Sequence, residues 1–126
     1  MTASIIKPEA EMLFVDDIEV LDDGSWNLIN PYTKREKGNK ELIIIYYEIS
    51  NINKGNLNLK VVGYDANGKS LGENTTVLTT EDEAGGVGYF TFEGMEIGAA
   101  GEYTFELQLM HEGKYQTIAT KTLYVK

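Results

Sequence analysis

Three observations predict an all-β fold of two packed antiparallel sheets. First, near the C-terminus Tyr103, Phe105, Leu107 and Leu109 alternate with Glu102, Thr104, Glu106 and Gln108. That period of two, apolar then polar, marks an antiparallel strand with one face on a core. Second, the dipeptides Asp23-Gly24, Asn67-Gly68 and Glu112-Gly113 each separate two strand-like runs. The first two are strong formers of two-residue turns with positive φ. Third, no window of helical length carries a sustained 3.6-residue period, while Thr, Ile, Val and Tyr are plentiful.

Taken in order, strands are predicted at 11–20, 25–30, 41–50, 56–65, 69–79, 86–93, 102–110 and 114–125. Strands so short and regularly punctuated fit a sandwich of about seven or eight antiparallel strands, with no substantial helix. Pattern alone leaves a closed barrel open. Two connections are long: Pro31 to Lys40, which holds the one basic cluster, and the acidic stretch from Thr80 to Gly86. The core should include Phe14, Ile43, Ile45, Tyr47, Leu59, Val61, Phe105, Leu107, Leu109 and Val125. At 126 residues the chain is expected to be one domain, 1–126, with residues 1–10 as an N-terminal arm.

The strand from Leu42 to Ile49 does not alternate cleanly. With Ile43, Ile45, Tyr47 and Ile49 inward, Leu42, Ile44 and Tyr46 fall on the opposite face. Val62 and Tyr64 stand outward in the same way on the next strand. An apolar second face needs cover. The N-terminal arm or the 31–40 loop could provide it, or a partner protein or a second copy. Leu42, Ile44, Tyr46, Val62 and Tyr64 are therefore the candidate interaction surface.

Charge excludes more than it assigns. The net charge is −9, and residues 81–112 hold eight acids and no Lys or Arg. Such a surface repels phosphate backbones, so direct nucleic-acid binding is not expected. Glu81, Asp82, Glu83, Glu93 and Glu96 form a candidate acidic surface, which could serve solubility or mimic a nucleic acid toward a basic protein. Cysteine is absent, which removes disulfides, thiolate metal sites and cysteine nucleophiles. The single histidine, His111, sits at a hairpin mouth, and no serine lies in a nucleophile elbow. Gly85-Gly86-Val87-Gly88 lacks the spacing of a phosphate loop. The carboxylates show no calcium-loop pattern. No enzyme activity, metal or cofactor is predicted. The opening residues carry no apolar run of signal-peptide length, so a cytoplasmic protein, with no membrane contact, is the simplest expectation.

Phe14 to Val20, Asp23 to Tyr32, Val61 to Gly68 and Gly101-Glu102-Tyr103-Thr104-Phe105 occur in an order that resembles a functionally uncharacterised bacterial family of small immunoglobulin-like proteins. The resemblance implies an immunoglobulin-like sandwich of bacterial or phage origin and carries over no catalytic residue. Gly101-x-Tyr103 also resembles the tyrosine corner of immunoglobulin domains, with Phe105 at the place of the second cysteine. The function expected is a non-catalytic protein-interaction or structural module; the alternative is an acidic inhibitor acting by charge mimicry.

Overall fold

The computed structural model describes residues 8–52, 55–80 and 85–126. Its strands are β1 (Glu9–Val15), β2 (Asp17–Val20), β3 (Trp26–Ile29), β4 (Lys34–Arg35), β5 (Gly38–Ser50), β6 (Gly55–Tyr64), β7 (Ser70–Thr80), β8 (Gly86–Ile97), β9 (Gly101–His111) and β10 (Lys114–Val125). They form a three-stranded sheet, β1-β5-β8, a five-stranded sheet, β4-β10-β9-β6-β7, and the hairpin β2-β3. The fold is an all-β, immunoglobulin-like sandwich, and no helix occurs among the described residues.

The core lies between the two large sheets. Met12, Phe14, Ile43, Ile45, Tyr47, Phe90 and Phe92 enter it from one side, and Leu59, Val61, Tyr103, Phe105, Leu107, Leu109, Leu123 and Val125 from the other. All ten residues expected in the core are buried. Phe105 is central: its ring meets Phe14 edge to face at 5.3 Å and Phe92 at 5.7 Å. Gly63 lies opposite it in the β6–β9 ladder, where a Cβ would approach the Phe105 ring to 2.8 Å. The space an immunoglobulin disulfide would occupy is filled by rings. Two residues earlier, the Tyr103 hydroxyl donates to the carbonyl of Ala99 at 2.7 Å, which closes a tyrosine corner at the β8–β9 connection.

Several expectations need correction. The run 11–20 is not one strand. It breaks at Asp16, whose N–H donates to Ile29 O, so β1 stays with β5 while β2 leaves to pair with β3. The Asp23-Gly24 and Asn67-Gly68 turns have three-residue loops. Leu21 pairs with Ser25 and Asp65 with Lys69 through backbone bonds, and in each loop the glycine, not its neighbour, takes positive φ. Carboxylates explain the longer loops: Asp23 Oδ1 accepts from Ser25 N and Oγ, and Asp65 Oδ1 from Asn67 N and Lys69 N. The two-residue turn with positive φ at both positions is Glu112-Gly113, at 51° and 81°.

The long 31–40 connection is also structured, and it ties the two sheets together on one side of the sandwich. Tyr32 bridges to Phe14 of β1, its N–H donating to Phe14 O, and two residues later β4 pairs in parallel with Tyr124 and Val125 of β10. One short segment thus stitches the margins of both sheets. On the opposite side β7 and β8 are the outermost strands, and Asn74 Nδ2 of β7 donates to the carbonyl of Thr91 in β8.

Candidate functional site

The outer face of β1-β5-β8 is built by register. Leu13 and Tyr89 flank Tyr46, Val15 and Thr91 flank Ile44, and Glu11 and Val87 flank Glu48. The β2–β3 hairpin lies over part of this face. Ile18, Val20, Trp26 and Leu28 share one side of that hairpin because its strands alternate with a period of two. The Trp26 indole stands edge to face against Tyr46 at 6.1 Å and against Tyr89 at 6.0 Å.

The two tyrosines fare differently. Tyr46 is 7 % exposed and donates its hydroxyl to Glu48 Oε1 at 2.6 Å. Burial raises its pKa well above the ordinary phenol value, and the Glu48 carboxylate adds to the rise. Tyr89 keeps 53 % of its surface open and Val87 keeps 42 %. Val20, paired with Trp26, is more exposed still. The result is an exposed apolar strip of Val20, Trp26, Tyr89 and Val87, with Glu9, Glu11 and Glu48 beside it on the same face. Glu11 and Glu48 stand directly across from one another.

Against this geometry the five candidate interaction residues do not make one surface. Leu42, Ile44 and Tyr46 belong to the three-stranded sheet, whereas Val62 and Tyr64 lie on the outer face of the other sheet. Leu42 is exposed and Ile44 half-buried; Tyr46 is covered by Trp26. Among the described residues the cover of Tyr46 comes from the β2–β3 hairpin; arm residues 1–7, one of the two segments expected to supply it, lie outside them. Val62 is buried between Glu73 and Glu106, its partners across the neighbouring ladders. Tyr64 lines a shallow concavity with Asp65, Ala66, Gly68, Glu102, Thr104 and Glu106.

Of the acidic candidates, Glu93 and Glu96 are exposed on β8. Glu93 and Gly94 form a bulge, where two residues of β8 oppose Leu42 alone, and both are exposed. Glu81, Asp82 and Glu83 lie outside the described residues. His111 is exposed next to the Glu112-Gly113 turn, its Nε2 3.7 Å from Glu112 Oε1. No cluster of three metal-ligating side chains occurs among the described residues.

Sequence reasoning missed Trp26, Tyr89 and Val87 as a surface. The available signal was the outward position of Val87 and Tyr89 in the alternation of β8; the partner that makes them a strip, Trp26, arrives from a hairpin whose docking no local pattern encodes.

No family model matches the chain, and no curated protein matches it. Solved structures do resemble it. An immunoglobulin-like protein from Pseudomonas aeruginosa superimposes with a TM-score of 0.51 at 14 % identity, over 94 % of this chain and 96 % of that one. A β-glucuronidase from Parabacteroides merdae gives a TM-score of 0.55 at 10 % identity over 94 % of this chain, which spans only 14 % of the enzyme. These likenesses establish an immunoglobulin-like fold. No helix among the described residues is long and apolar enough to cross a membrane.

Proposed function

We propose that the chain is a non-catalytic protein-interaction module of a bacterium or its phage, working in the cytoplasm. The observation that carries this reading is the strip of Val20, Trp26, Tyr89 and Val87. Aromatic side chains left half in water beside a polar rim are the composition of a protein-binding patch. The placement of His111 agrees with a non-catalytic role. Its side chain is 61 % exposed in a turn, where water competes for any proton it could move.

A second reading, an acidic inhibitor that occupies a basic surface of another protein, is favoured by Glu9, Glu11 and Glu48 on the same face. The two readings differ in their response to salt. Affinity capture from the native host, with the chain immobilised, separates them. An apolar interface holds its partner as ionic strength rises and loses it on Tyr89→Lys. A charge mimic releases its partner steeply with salt and on joint Glu11→Lys and Glu48→Lys substitution. A chain that retains no protein under either condition overturns both readings. So does one with a turnover that His111→Ala abolishes.

A further inference from the structure

We propose that the free edge of β8, from Gly86 to Phe90, accepts an extended basic segment of a partner protein as an added strand. The proposal rests on the interaction-module reading and names the site and the partner's chemistry.

The edge is defined by hydrogen bonds. Thr91 O accepts from Asn74 Nδ2 of the other sheet, so the backbone of Thr91 faces away from β5. Along an antiparallel strand alternate residues turn their N–H and C=O to the same side, which directs those of Val87 and Tyr89 outward as well. The far margin obeys the same phase. Phe14 O accepts from Tyr32 N, and Phe14 sits across from Ile45, the residue in register with Phe90.

The vacancy has a counterpart in related folds. A constant-type immunoglobulin sandwich completes this sheet with a fourth strand beside the third. Here the sheet is β1-β5-β8, and among the described residues nothing pairs with β8 on its outer side. Edge strands are usually blunted by Lys or Pro, and β8 contains neither. Its regular register with β5 is interrupted instead at the Glu93-Gly94 bulge. Val87 and Tyr89, whose backbone faces the vacancy, also present the exposed apolar side chains, with Trp26 against Tyr89. Backbone pairing and side-chain recognition coincide on the same residues, as strand addition requires.

Charge selects the occupant. β1, β2, β3 and β8 hold no Lys or Arg, and Glu9, Glu11, Glu48 and Glu93 stand on this face. A second copy docking here would bring the same carboxylates together. A segment with Lys or Arg at alternate positions places its cations over Tyr89 and Trp26 and toward Glu48 and Glu93.

The test uses the intact chain and a synthetic peptide that alternates Lys with Val. Trp26, the one tryptophan, touches Tyr89, so its emission reports occupancy directly. Binding should shift that emission and slow amide exchange at Val87 and Tyr89 by about tenfold or more. The same peptide with Glu for Lys, and one N-methylated at the pairing amides, should each bind at least about tenfold more weakly. Equal binding by the N-methylated peptide overturns strand addition, as does protection appearing on β7 instead of β8. So does the lack of any response at about 1 mM peptide. If the captured host partner is held equally by Val87→Pro, the edge proposal fails while the module reading stands. If no partner is captured, the module reading itself fails.

Discussion

The indole of Trp26 and the phenol of Tyr46 meet edge to face at 6.1 Å, and through that contact the β2–β3 hairpin, which leaves the sheet after Val15, becomes part of the sandwich. Of the three strands between Val15 and Gly38, β2 and β3 form the lid and β4 is an edge stitch. The lid rests on Tyr46, whose hydroxyl is already committed to Glu48, so the ring presents a fixed surface. An edge-to-face pair adds about 0.5–1.5 kcal/mol beyond the area it buries.

Trp26→Ala is therefore expected to destabilise the protein by about 2–3 kcal/mol, less than a fully buried tryptophan because the indole is only half-buried. Urea unfolding gives the loss. In the same variant the Tyr46 phenol, re-exposed to water, should ionise at lower pH than in the parent, which ultraviolet titration reads.

Tyr103→Phe removes the hydroxyl that donates to Ala99 O and nothing else. The expected cost is about 1 kcal/mol, seen as a lower urea midpoint with an unchanged slope. Gly63→Ala should cost more, about 1–3 kcal/mol, because its methyl runs into the Phe105 ring, which Phe14 and Phe92 hold in place.

Glu112→Asn should stabilise the protein by a few tenths to about 1 kcal/mol. Glu112 holds a φ of 51° in a two-residue turn whose first position favours Asn, and its side chain is exposed. Gly113→Ala should act in the opposite direction. Thermal midpoints of the two variants relative to the parent decide it.

The buried phenols predict alkaline unfolding. Burial pushes the Tyr47 pKa up to about 12, and Tyr32 and Tyr46 are raised for the same first reason. A phenol with a raised pKa holds its proton more tightly when folded than when unfolded, where it titrates near pH 10. Their contribution is thus complete below about pH 10 and is lost as pH rises toward about 12. Urea midpoints measured across that range should fall, and Tyr47→Phe should soften the fall.

Much of this architecture was legible in the chain. The alternation of Tyr103 to Leu109 placed β9 and its inward face correctly, and Gly101-x-Tyr103 marked the corner that the Ala99 hydrogen bond closes. Such patterns are local, with a period of two residues, so a single sequence displays them. What was not legible is non-local or decided by competing side chains. Asp16 breaks a run that alternation alone would continue, because its N–H finds Ile29 O. Asp23 and Asp65 lengthen their turns by accepting backbone N–H groups, overriding the two-residue preference of Asp23-Gly24 and Asn67-Gly68. Ile44 and Tyr46 read correctly as facing away from the core. Their cover, and the separation of Val62 and Tyr64 onto another sheet, depend on the order of strands in space.

The stitch formed by Tyr32, Lys34 and Arg35 limits how such molecules could be joined. On its side the margins of both sheets are held at one end, β1 by the Tyr32–Phe14 bridge and β10 by the pairing of Tyr124 and Val125 with β4. The margins β7 and β8 lie next to each other on the other side. A filament grown through strand pairing needs two acceptor margins pointing in opposite directions, and β7 and β8 share one side. A donor strand that pairs with β8 alone therefore forms a terminated complex of defined stoichiometry, so raising its concentration saturates the protein without polymerising it.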